Sequence, residues 1–174
     1  MKRFVLLCFV LVSSLTFSQP DPLVWEQPNT GVSSTISVGE FSIWDMVPPT
    51  LNGEAMPVGT LIGVFFQIDG QFYCGGFNTW NGDGMIAISA QGDDSTTPNV
   101  DGFSEGEAYS WFAYYDGFDY YASNAVMVEP NGQLTGMVYN GNALSGLASA
   151  DFTDWTGTVD DEVELTCECE YGMA

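Results

Sequence analysis

Eight Asn-Gly or Asp-Gly pairs punctuate this chain, beginning at Asn52, Asp69, Asn81, Asp83, Asp101, Asp116, Asn131 and Asn140. Both residues of such a pair tolerate positive φ, so the pairs favour tight chain reversals. Short runs rich in β-branched and aromatic residues lie between them. Residues 60–68 and 71–78, flanking Asp69-Gly70, read as one hairpin; residues 107–115 and 118–122, flanking Asp116-Gly117, read as a second. Further strands are expected over 33–38, 41–44, 85–90, 125–129 and 134–139. No window sustains a helical apolar period over ten residues. The expectation is an all-β fold, an antiparallel β-sandwich built from short hairpins.

Charge sets the next limit. The only basic residues are Lys2 and Arg3, there is no His, and all 23 acidic residues lie from Asp21 onward. Lys2 and Arg3 precede an apolar run over residues 4–12 and small residues ending near Ser18, the layout of a secretory signal peptide. That apolar run is about half of a membrane span. Cleavage after Ser18 would leave a chain without a cationic side chain and with a side-chain charge of −23. Such a polyanion is not expected to bind nucleic acid, and no membrane span is expected in the mature chain. Self-repulsion on this scale is eased by salt, by bound cations or by spreading charge over loops. At roughly 0.5–1 M salt the screening length falls to about 3–4 Å.

The expected organisation is a signal peptide over 1–18, a Pro-rich lead-in over 19–28, a β-sandwich over 29–158 and an acidic tail over 159–174. Cys8 lies in the leader. Cys74, Cys167 and Cys169 remain, and export makes a disulfide from Cys74 to one of the tail pair plausible, with the choice open.

Catalysis has few candidates. A Ser nucleophile would lack a His or Lys base. Paired carboxylates could cleave glycosides, yet no feature selects a pair. The chain therefore reads as non-enzymatic, with a carboxylate-dependent glycosidase as an alternative. Residues 92–107, GDDSTTPNVDGFSEGE, gather Asp93, Asp94, Asp101, Glu105 and Glu107 on one loop. Hard cations take such oxygen ligands, which makes Ca2+ the candidate cofactor. The competing explanation is a turn-rich loop whose carboxylates cap their own backbone N–H groups. NGDGMI, residues 81–86, imitates part of an EF-hand but lacks the key ligands. WFAYYDGFDYY, residues 111–121, holds seven aromatics in eleven residues. Exposed rings there could stack on sugars, with Trp80, Trp111, Tyr114 and Tyr120 as candidate ligand-binding residues. Strand alternation should send about half the rings inward.

The motifs NTGVSSTISV (29–38), GTLIGVFFQIDGQFYCGG (59–76), the GDD…DGF…GE loop and LSGLASA (144–150) occur in that order. Together they resemble a small β-sandwich module repeated in large secreted surface proteins of marine Bacteroidetes, many of which use type IX secretion. Here the module is nearly stand-alone, and Ala90-Gln91 replaces an aromatic before GDD. The resemblance implies a secreted or cell-surface accessory module for surface interaction or adhesion, with an extracellular glycan or surface protein as partner.

Overall fold

A computed structural model describes residues 22–157. In chain order the strands are β1 (Ser33–Gly39), β2 (Thr50–Leu51), β3 (Glu54–Ala55), β4 (Leu61–Ile68), β5 (Gln71–Thr79) and β6 (Met85–Gln91). They continue with β7 (Ser110–Tyr115), β8 (Phe118–Tyr121), β9 (Val126–Val128), β10 (Leu134–Thr135), β11 (Leu144–Ser149) and β12 (Asp151–Asp154). Two mixed sheets pack face to face as a β-sandwich: one in the order β10-β9-β11-β1-β6, the other β3-β2-β12-β8-β7-β4-β5. Most pairings are antiparallel; β1 with β11 and β2 with β12 are parallel. Among the described residues no helix is long and apolar enough to cross a membrane.

Three of the eight Gly pairs close the hairpins β2–β3, β4–β5 and β7–β8. At Asn52-Gly53, Asp69-Gly70 and Asp116-Gly117 both central residues have positive φ, the backbone whose twist matches the flanking strands. Other pairs serve as loops. Asn81 and Asn131 accept from the backbone N–H two residues on, at 3.2 and 2.8 Å. Such Asx turns are the second use of this residue type.

The inner faces meet in one core. Ile36 and Val38 of β1, Ile86 and Ile88 of β6, and Leu147 of β11 face Ile62, Val64 and Phe66 of β4, Trp111 of β7 and Phe152 of β12. β4 has no polar residue from Leu61 to Phe66 because its sheet is covered on both sides. Its other face carries a second cluster around Phe65, Cys74 and Phe112, capped by Leu23, Trp25, Phe72, Phe77, Tyr121 and Trp155.

The cap explains residues 22–30. This segment forms no strand, yet it is docked. The Leu23 N–H donates to Asp119 Oδ2 at 2.9 Å, and the Trp25 indole donates to Asp119 Oδ1 at 3.0 Å. The Trp25 ring sits edge-on to Phe65 and Phe77, with centroids 5.0 and 5.8 Å away. The lead-in is thus a lid over an otherwise exposed aromatic face.

Local departures from the expected strands have identifiable causes. Residues 41–44 form a bridge and a 3-10 turn, Ser42–Trp44, because Asp45 turns left-handed (φ 54°) and Phe41 pairs back to Met46. Residues 107–109 pair with 137–139 apart from β7, through Tyr109 N–H to the Met137 carbonyl and Tyr139 N–H to the Glu107 carbonyl. β10 stops at Thr135, before Gly136.

Candidate functional site

The loop over residues 92–107 is anchored at its base by main chain. Asp93 N–H donates to the Phe103 carbonyl, and Phe103 N–H to the Gln91 carbonyl. Phe103 is the plug. It is buried, stacks nearly parallel on Tyr139 at 5.6 Å, and meets Tyr109 edge-on at 4.9 Å. The Gly residues around it are steric necessities. A Cβ on Gly75 would collide with the Phe103 ring, one on Gly76 with the Ser89 carbonyl, and one on Gly102 with the Gly92 backbone. The CGG and DGF elements therefore belong to one packing device.

The five acids of this loop accept backbone donors. Asp93 and Asp101 brace it reciprocally: Asp101 N–H donates to Asp93 Oδ1, and Asp94 N–H to Asp101 Oδ1, each at 3.0 Å. Asp94 Oδ1 accepts from both the N–H and the hydroxyl of Thr96 at 2.8 Å, which holds its carboxyl below the usual aspartate range. Glu105 takes the Gly141 N–H, and Glu107 takes those of Gln67 and Ser104. Among the described residues no group of three or more His, Cys, Asp or Glu side chains converges as a metal centre would require. The backbone-capping arrangement is what the hydrogen bonds of the loop display.

The candidate ligand-binding rings fall apart spatially. Trp111 is 1% exposed and Trp80 4%, both in the main core, so neither offers a face to a sugar. The reason is register: β7 alternates Trp111 and Ala113 inward, with Phe112 and Tyr114 on the other face. Tyr114 is half-buried under Trp25, with centroids 6.3 Å apart. Tyr120 is half-buried and lines a recess of about 380 Å³ with Phe118, Asp119, Asp154 and Trp155. Burial, with the Asp154 and Asp116 charges, raises its phenol pKa.

A larger recess lies elsewhere, at the edge of the seven-stranded sheet. β5 is the edge strand. Its later half lies against β6, where Asn78 Nδ2 donates to the Ala87 carbonyl at 2.8 Å. Its earlier half, residues 71–74, borders a cleft of about 510 Å³, within the usual small-ligand range of about 300–1,000 Å³. The walls come from three places: Val24, Glu26, Gln27 and Pro28 of the lead-in, Gln71 to Cys74 with Phe66, and Val100 and Asp101 of the acidic loop. Tyr73 is 43% exposed, and its ring is backed by buried Phe66, stacked at 5.8 Å and 25°. Its hydroxyl donates to Gln71 Oε1 at 3.3 Å. Gln27 Nε2 donates to the Ser89 carbonyl at 3.2 Å, fixing that wall.

Cys74 is a buried residue of the lining. Burial pushes its thiol up to about 12, so it stays protonated. It is the free cysteine among the described residues, and Cys167 and Cys169, its expected partners, lie outside them. Sequence reasoning missed this cleft because its wall residues are scattered over 24–28, 71–74 and 100–101. The available signal was Tyr73, an aromatic in a strand that alternates with Phe72 and Cys74.

Comparison with protein-family models, with curated proteins and with solved structures finds no significant match for this chain.

Proposed function

We propose that the chain is a secreted, non-enzymatic β-sandwich module that engages an extracellular surface or ligand through the cleft beside β5. The observation that carries this is the pairing of apolar walls with a backed, exposed Tyr73 ring at a sheet edge. Secretion is supported by the leader-like residues 1–18, and a surface role by the resemblance to modules of secreted bacterial proteins. A non-catalytic role is supported by the carboxylates. Those of the acidic loop are engaged in bracing its backbone. Ca2+ enters as a proposed stabiliser of the loop, since each carboxylate keeps lone pairs beyond the bonds it accepts.

The test is retention of fluorescently labelled protein (residues 19–174) on the surface and extracellular matrix of the producing cells. Wild type should be retained, and Val100→Trp, which fills the cleft rim, should be washed away. Equal retention of the two proteins, or none of either, contradicts the proposal.

A further inference from the structure

We infer that the cleft beside β5 seats an uncharged sugar ring of a glycan on the face of Tyr73, a step that rests on taking this cleft as the binding site. Three features of the cleft select that class. First, the platform is preorganised: Phe66 backs the Tyr73 ring, and the hydroxyl is tethered to Gln71. A rigid aromatic face presents apolar area at little entropic cost, which suits the C–H face of a pyranose.

Second, the rim offers hydroxyl partners at two levels. Asp101 accepts Asp94 N–H through Oδ1 and the Thr97 hydroxyl through Oδ2, which leaves lone pairs on both oxygens. Glu26 is exposed on the opposite wall, and Gln71 and Gln27 add amide groups. Such acceptors around an apolar platform match a ring with polar edges and an apolar face.

Third, the electrostatics exclude acidic ligands. No Lys, Arg or His occurs from Pro22 to Gly157, and Glu26 and Asp101 line the cleft itself, with Asp93 and Asp94 in the same loop. A uronate or sulfate ester would be desolvated beside like charges with no cation to receive it. The ligand is therefore neutral. A basic peptide would satisfy the charges, and an arginine could stack on Tyr73, but it would leave the apolar walls formed by Val24, Pro28 and Val100 facing a strongly hydrated chain.

Affinity electrophoresis and calorimetry with defined probes test the inference on the protein spanning residues 19–174. The probes are gluco-, manno- and galacto-hexaoses, an alginate hexaose, a sulfated galactan and hexalysine. At least one neutral hexaose should bind with a Kd on the order of 0.1–1 mM, with weaker or no binding of the two acidic glycans. Tyr73→Ala should weaken that binding by about tenfold or more, whereas Tyr73→Phe, which keeps the ring, should bind within about threefold of wild type. Unchanged melting of both variants shows that the fold is intact. Preference for the acidic glycans overturns the neutral charge, and binding of hexalysine alone, or of none of the hexaoses, overturns the glycan class, while Val100→Trp sensitivity of cell-surface retention keeps the cleft as the site. Neutral-glycan binding indifferent to Tyr73 and Val100 overturns the site itself.

Discussion

Removing the indole of Trp25 should unseat the lid over the outer aromatic cluster. Trp25 makes edge-on contacts with Phe65 and Phe77 and one hydrogen bond to a carboxylate. Each aromatic pair contributes about 0.5–1.5 kcal/mol, and a hydrogen bond to a charged group about 1.5–3 kcal/mol. Truncating a buried Trp or Phe typically costs about 3–5 kcal/mol. Trp25 is only partly buried, so Trp25→Ala is expected to cost about 3 kcal/mol. At roughly 3 °C per kcal/mol for a domain of this size, Tm should drop by about 10 °C in a thermal melt followed by near-UV circular dichroism. Asp119→Ala, which removes both accepting oxygens, should cost about 1–2 kcal/mol alone and less in the Trp25→Ala background, where only the Leu23 N–H bond remains to be lost. A drop below about 2 °C for Trp25→Ala, or additive losses in the double variant, would refute the lid and return residues 22–30 to the role of a passive linker.

Other outcomes follow from the same structure. Trp111→Ala should behave as a core deletion, costing about 3–5 kcal/mol of stability measured by urea unfolding, with its effect on glycan binding explained by unfolding. Gly76→Ala should destabilise by more than about 2 kcal/mol because its Cβ meets the Ser89 carbonyl, which is backbone and cannot rotate away. Stability should fall as pH rises between about 9 and 12. Tyr109 and Cys74 are neutral when protonated and both are raised to about 12 by burial, so the unfolded chain ionises first. Cys74→Ala should flatten the onset near pH 9 and leave the tyrosine part. In a melt at millimolar CaCl2, Tm should rise above that in ionic-strength-matched NaCl, and Asp93→Asn with Asp101→Asn should remove the difference; equal shifts assign the acidic loop to hydrogen-bond bracing alone.

The hairpins were legible because Asp69-Gly70 and Asp116-Gly117 state their turn geometry locally, and the apolar alternation around them sets the inner face. β12 and its parallel pairing with β2 were not legible. Their contact joins residues about a hundred positions apart, and DFTD carries little apolar pattern. The lead-in was legible as a Pro-rich segment but not as docked, since the partners of Trp25 lie on β4, β5, β7 and β8. For the rings at 111–121 the composition was plain and the register was not; one step of register decides whether Trp111 or Phe112 faces the core. The acidic loop was legible as a loop with carboxylates, and its two explanations differed only in where backbone N–H groups point. The cleft is assembled from three separated segments, so only the assembled fold brings Tyr73, Glu26 and Asp101 together.

Backbone amide chemical-shift mapping with the best-binding neutral hexaose tests the central claim most directly. The expected result is saturable shifts concentrated at residues 24–28, 71–74 and 100–101, with the largest around Tyr73. Shifts centred instead on Phe118, Tyr120 and Trp155, or spread evenly over the sandwich, would contradict it.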